Sequence, residues 1–164
     1  MAKKSTYLMH FKRRREKKTN YRKRLALIKS EKVRVVIRRT LSNISVQFID
    51  YKPNGDSTIA SATSMELKKL GWKRTGNLPA AYLTGLLVGK KAKNKNVGEA
   101  IFDLGLQTST KGSRIYAALK GVLDSGIKIP HSENILPTED RIKGKHISEE
   151  VVKKFEEIKK KIGE

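Results

Sequence analysis

The chain has 164 residues, 37 of them Lys or Arg against 16 Asp or Glu, for a formal net charge of +21 at neutral pH. That length fits one domain around a single core, and no apolar run approaches the roughly 18 residues a transmembrane helix needs. Cysteine is absent, which excludes disulfides, thiolate zinc sites and a Cys nucleophile; the basic N-terminus lacks an apolar secretory stretch, so the expectation is an intracellular protein with a polyanionic partner.

The charge is unevenly placed. Residues 1–39 hold 16 basic and 2 acidic side chains, residues 40–130 hold 13 and 6, and residues 131–164 hold 8 of each. Concentration in one segment suits phosphate binding, because neighbouring cations displace counterions together. Three regions follow: a basic extension over 1–30, a body over 31–130, and a closing segment over 131–164.

The extension carries Lys3, Lys4, the run Lys12-Arg13-Arg14-Arg15, then Lys17, Lys18, Arg22, Lys23 and Arg24, with Tyr7, Phe11 and Tyr21 interleaved. Such a block repels itself and is expected to order only when a polyanion neutralises it. Residues 21–28 form a short helix with Leu25 and Ile28 on one side.

Val33 to Arg39 is a β-branched run typical of a strand. Ile44 to Tyr51 alternates Ile44, Val46 and Phe48 with Ser45 and Gln47, the period of a half-buried strand. Pro53-Asn54-Gly55-Asp56 makes a turn, and Ser57 to Ser64 completes a meander. Met65 to Leu70 forms a brief helix closed by Gly71. Asn77 caps a longer helix to about Lys95, with Pro79 in its first turn; its Ala81, Gly85 and Gly89 make a nearly bare stripe, expected where helix approaches sheet. Ala100 to Leu104 is a fourth strand. A helix opened by Thr110 or Ser113 ends near Gly126, and residues 127–129 before Pro130 form a last short strand.

The order β-β-β-α-β-α-β predicts an α/β fold, a mixed sheet with helices packed on it. Residues 131–147 read as irregular. Ser148 to Ile162 is amphipathic, with Val151, Val152, Phe155, Ile158 and Ile162 on one face. Its polar face pairs Glu149–Lys153, Glu150–Lys154, Glu156–Lys160 and Glu157–Lys161 at i,i+4. A membrane-surface protein would need a basic amphipathic helix, and this one is neutral.

Catalytic chemistry finds little support. His10, His131 and His146 have no helical metal-ligand spacing, and Gly85 to Lys90 falls one residue short of a phosphate loop with no Ser or Thr after the lysine. The strongest enzyme reading is a metal-dependent nuclease built on Asp50 and Asp103 with Glu66 or Asp124; against it, Asp50 adjoins a turn and Asp103 lies between Phe102 and Leu104. A DNA-binding or general basic nucleic-acid-binding protein shares the charge but shows no helix-turn-helix or zinc spacing.

Binding features are stronger. Lys111-Gly112-Ser113-Arg114 precedes a helix whose N-terminal amides suit a phosphate, although an ordinary capped start reads the same way. Arg38, Arg39 and Asn43 stand at a strand end. Trp72, Lys73, Arg74, Thr75 and Asn77 share a loop in which the single Trp is either a packing anchor or a stacking platform.

Set in order, these segments closely resemble a known family. They are Phe11-Lys12-Arg13-Arg14-Arg15-Glu16, Thr19-Asn20-Tyr21-Arg22-Lys23-Arg24-Leu25, Glu66-Leu67-Lys68-Lys69 and Thr75-Gly76-Asn77-Leu78-Pro79-Ala80-Ala81-Tyr82-Leu83-Thr84-Gly85-Leu86. Asp103-Leu104-Gly105-Leu106, Lys111-Gly112-Ser113-Arg114, Ala117-Ala118-Leu119-Lys120-Gly121 and Ile129-Pro130-His131 follow. The family is the large-subunit ribosomal protein numbered eighteen in the universal scheme, in its archaeal-type form, and the likeness spans about residues 7–147.

The resemblance implies a non-enzymatic constituent of the cytoplasmic ribosome, without cofactor, metal or small-molecule substrate. Its arm and one edge of its body would clamp 5S rRNA and join it to large-subunit rRNA, beside neighbouring proteins of the central protuberance. The implied RNA contacts are Lys12, Arg13, Arg14, Arg15, Tyr21, Arg22, Lys23 and Arg24 on the arm, then Arg38, Arg39 and Asn43. Trp72, Lys73, Arg74, Thr75, Asn77, Lys111, Gly112, Ser113 and Arg114 complete them. Two departures raise the positive charge: Lys17 stands where members often have Gly, and Asn20 where they often have Asp.

Overall fold

A computed structural model of the chain describes residues 8–163; Lys3, Lys4 and Tyr7 of the extension lie outside them. Four strands make one mixed sheet: β1 (Arg34–Arg39), β2 (Ile44–Asp50), β3 (Ser57–Thr63) and β4 (Ile101–Asp103), in the spatial order β3-β2-β1-β4. The first three form the expected antiparallel meander, with Val35 opposite Phe48 and Ile37 opposite Val46. β4 joins parallel to β1, with Val36 opposite Asp103. Alternation along these strands buries Val35, Ile37, Val46 and Phe48 on one face.

That face is covered by α3 (Leu78–Lys93) and α4 (Arg114–Asp124). The start of α3 obeys its sequence signals: Asn77 Oδ1 accepts the Ala80 N–H at 3.0 Å, and Pro79 sits where an amide proton would have no partner. The bare stripe, however, faces another helix rather than the sheet. A Cβ on Gly85 would meet the Ala118 carbonyl oxygen at 2.0 Å, and one on Gly121 would meet that of Tyr82 at 2.1 Å. The crossover through β4 lays α4 along the glycine side of α3, so backbone packs on backbone.

The last expected strand is also corrected. Residues 127–129 make only one isolated parallel bridge, Glu99 with Lys128. Pro130 has no N–H with which to extend the ladder, and the two available bonds, Lys128 N–H to Gly98 and Ala100 N–H to Lys128, are already made. Ile127 and Ile129 still bury their side chains.

The closing segment is more regular than its sequence suggests. A 3-10 turn (Glu133–Ile135) and α5 (Glu139–Lys143) precede α6 (Glu149–Gly163). α6 buries Phe155, Ile158 and Ile162 against α3, with the Phe155 and Tyr82 rings 5.5 Å apart. Its four i,i+4 Glu–Lys pairs do not close among the described residues, as expected where exposed side chains give up rotamer freedom for little Coulomb gain. No helix among the described residues is long and apolar enough to cross a membrane.

Candidate nucleic-acid interface

Because β1 and β4 run parallel, both end at one edge of the sheet, and α3 and α4 both begin there. Three segments meet at this edge: the β1–β2 turn at 40–43, the loop at 72–77, and the stretch from 104 to 114. They are tied by polar bonds. Thr75 Oγ1 donates to the Ser42 carbonyl at 2.8 Å, Arg114 Nη1 to the Gly76 carbonyl at 2.7 Å, and Gln107 Nε2 to the Arg39 carbonyl at 3.1 Å. Gly76 is required here, since a Cβ would stand 2.9 Å from the Ser42 oxygen.

Of the two readings of Trp72, the structure takes the anchor. The ring is 4% exposed in the core, and its N–H donates to the Arg74 carbonyl at 2.7 Å. It is therefore not open to stacking; it fixes the loop that exposes Lys73 and Arg74. Asn77 is likewise occupied by its capping bond, and Thr75 is buried. Lys111 is exposed, and Gly112 takes φ +64°, the left-handed turn into α4. Ser113 is the cap residue of α4, yet its hydroxyl makes no capping bond.

In the described part of the arm, α1 (Lys12–Arg15) buries nothing. Arg13 Nε donates to Thr19 Oγ1 at 2.9 Å, and the Phe11 and Tyr21 rings lie 5.4 Å apart. Lys17 has φ +52°, a left-handed conformation that glycine would adopt at lower cost. Asn20 caps α2 (Tyr21–Ile28) by accepting the Lys23 N–H at 3.2 Å, a bond Asp would make equally well. Both departures from the family pattern thus keep the backbone geometry.

α2 lies over the sheet face that α3 and α4 leave open, held by a chain of ion pairs that composition could not reveal. Asp56 accepts from Arg24 at 2.9 Å and from Arg34 at 2.7 Å; Asp103 lies 3.6 Å from Arg34 and 3.2 Å from Arg38. Arg34 is buried on this face, so its charge must be met by carboxylates. Arg24 and Arg38, expected as RNA contacts, carry internal partners here; Arg38 also donates to the Asp103 carbonyl at 2.7 Å.

Leu106 joins arm and edge. It lines a cleft with Arg14, Lys17 and Arg22 on one side and a second cleft with Arg39 and Arg114 on the other. The basic surface therefore runs unbroken from the arm across the sheet edge to the start of α4. Leu41, 96% exposed at the tip of the β1–β2 turn, stands beside it. Neither leucine, nor Gln107, nor the Arg34–Asp56 pair was found by sequence reasoning.

The acidic residues do not assemble a metal centre. Asp103 shares the face of Arg34 and Arg38, whereas alternation after Ile49 turns Asp50 to the opposite face. Glu66 is taken by Lys91 at 2.7 Å and the Thr63 N–H at 2.9 Å. Partial burial pushes its carboxyl up, but these bonds and the nearby Lys69 hold it below the usual glutamate range. Asp124 accepts from Tyr82 Oη at 2.7 Å and pairs with Lys120 at 3.1 Å; burial first, then this carboxylate, pushes the phenol well above its ordinary value. No group of three potential ligands stands together among the described residues. The nuclease reading therefore fails on geometry.

The family model for "Ribosomal large subunit proteins 60S L5, and 50S L18" matches residues 5–99 and 91–132. The large ribosomal subunit protein uL18 of Korarchaeum cryptofilum (strain OPF8) is 61% identical over 149 residues, covering 90% of this chain and 76% of that protein. The uL18 of Methanosphaera stadtmanae is 51% identical over 150 residues, covering 91% of this chain and 78% of its own. The matched family segment ends before α5 and α6.

Proposed function

The chain belongs to the large-subunit ribosomal protein family of 60S L5 and 50S L18, and from that premise we propose that it binds 5S rRNA and attaches it to large-subunit rRNA in the central protuberance. It is a non-enzymatic constituent of the large ribosomal subunit, whose partners are rRNA and other ribosomal proteins. The observation that carries the finer reading is the continuity of the basic surface through Leu106. The cationic arm and the sheet edge lie on one side of the molecule, where a single folded RNA can touch both.

The mechanism requires no reactive group. Arg14, Arg15, Lys17 and Arg22, which have no carboxylate partner among the described residues, neutralise phosphates and supply most of the affinity. Lys12, Arg13 and Lys23 add to the same field. Arg39, Lys73, Arg74, Lys111 and Arg114 extend it over the edge, and Gly112 lets the backbone at the start of α4 come close to the RNA. Arg24, Arg38, Trp72 and Asn77 act by holding the arm and loop in place. Tyr21, tilted against Phe11, offers an aromatic surface to an unstacked base.

Competition filter binding tests this reading. Labelled 5S rRNA should remain bound in the presence of excess duplex DNA and of an unrelated structured RNA of equal length. Displacement by duplex DNA or the unrelated RNA as effective as that by unlabelled 5S rRNA would reduce the protein to a general basic nucleic-acid binder.

A further inference from the structure

We propose that the β1–β2 turn edge recognises RNA by a splayed nucleoside, its sugar and base, rather than by phosphate, with Leu41 packing on that nucleoside. This deepens the RNA-binding reading and rests on it. Four buried side-chain polar atoms lack a hydrogen-bond partner among the described residues, and three of them surround this edge: Asn43 Oδ1, Gln107 Oε1 and Ser113 Oγ. Each such atom is costly to leave unpaired in an isolated protein, so their concentration at one place marks bonds left to a partner.

The chemistry of these atoms selects the partner. Two are amide oxygens, which only accept. Phosphate oxygens also only accept and cannot satisfy them. A ribose 2′-hydroxyl, or a base amino group, donates to an amide oxygen, and the hydroxyl can also accept from Ser113. The terminal torsion of Asn43 is broad, so a modest rotation turns its oxygen toward an incoming donor, while the Arg39 carbonyl holds the Gln107 amide at the cleft.

Shape and charge agree. Gln107 and Leu106 line a cleft of about 430 Å3 with Leu41, and its two charged groups are Arg39 and Arg114, with no carboxylate. Leu41 is almost fully exposed while the turn beneath it is fixed by Thr40 N–H to the Asn43 carbonyl at 2.8 Å and Asn43 N–H to Thr40 Oγ1 at 3.0 Å. A rigid turn presenting an aliphatic tip between two arginines fits the face of an unstacked base or sugar next to a phosphate backbone. The cations of the arm and the edge therefore supply salt-dependent phosphate contacts, while Leu41, Asn43, Gln107 and Ser113 add salt-insensitive contacts that distinguish ribose from deoxyribose.

The test measures affinity for 5S rRNA against salt concentration for the full-length protein and for Leu41→Ala, Asn43→Ala and Arg14→Ala. Leu41 is exposed, so its substitution leaves the fold intact, and an unchanged thermal midpoint verifies this for each variant. Leu41→Ala and Asn43→Ala are expected to weaken binding about five- to twentyfold with the salt slope unchanged. Arg14→Ala is expected to lower the slope. If Leu41→Ala and Asn43→Ala bind as tightly as the parent while Arg14→Ala weakens binding, the nucleoside proposal is overturned and the RNA-binding reading stands. If they lower the slope as Arg14→Ala does, the edge is a phosphate site and the proposal is again overturned. If no variant, including Arg14→Ala, alters binding, the RNA-binding reading of this surface fails.

Discussion

Gly85 and Gly121 face each other across the α3–α4 contact, where either Cβ would fall about 2 Å from a carbonyl oxygen of the other helix. Alanine normally favours a helix over glycine by about 1 kcal/mol, yet overpacking a rigid backbone contact costs typically 1–3 kcal/mol and occasionally more. Gly85→Ala should therefore lower the denaturation midpoint, and a rise would show that the helices stand further apart. The buried Arg34 makes Asp103 similarly sensitive. Asp103→Ala leaves that guanidinium with Asp56 alone, and an equilibrium unfolding loss of about 3 kcal/mol is expected. Glu66 gives a pH signature. Its folded carboxyl lies below the ordinary value of 4.5, so its contribution is complete above that value and is lost as pH falls through the folded one. Glu66→Gln should reduce stability at neutral pH and flatten the acid limb of the stability curve below pH 4.5; an unchanged acid limb would contradict the Lys91 and Thr63 bonds.

At the scale of elements, the arm and the body differ in what holds them. Neither α1 nor α2 buries a residue, and both are too short to persist by propensity alone. Amides of residues 8–24 in the free protein should accordingly exchange quickly, with α2 steadied chiefly by the Arg24–Asp56 pair; strong protection across 8–24 would contradict this. Lys17→Gly should steady the turn after α1, where Lys18 N–H reaches the Arg13 carbonyl at 2.9 Å. Much of the body was legible in the sequence for identifiable reasons. The strands of the meander alternate with a period of two, and Asn77 and Pro79 are local signals whose effect does not depend on distant residues. What stayed illegible depended on the tertiary partner: the glycine stripe was visible but not the helix it meets. Isoleucines 127 and 129 look like a strand, but backbone pairing there ends at a single bridge. At the candidate site, charge and loop chemistry point to the arm, Arg39 and the 111–114 segment, whose contacts with RNA are a proposal. The burial of Trp72, the pairing of Arg24 and Arg38, and the role of Leu106 arise only when the sheet brings residues far apart in sequence together.

The whole molecule is an electrostatic gradient: a concentrated cationic arm, a basic body and a neutral closing helix packed on the side of α3. On the proposed reading, this arrangement places the RNA on one side of the protein. Replacing Arg13, Arg14 and Arg15 together with Ala should flatten the dependence of log K on log salt for RNA binding by roughly 0.7–0.9 for each phosphate left without its cation. An unchanged slope would remove the triplet from the interface. α6, with four Glu and five Lys balanced against a buried apolar face, should tolerate charge-neutral substitutions on its polar side without altering RNA affinity. The most direct measurement of the central claim is crosslinking of the protein in assembled large subunits, followed by sequencing of the attached RNA. The account predicts 5S rRNA as the main species, joined through the arm and the sheet edge, with large-subunit rRNA as the second; recovery of another RNA as the main species would contradict it.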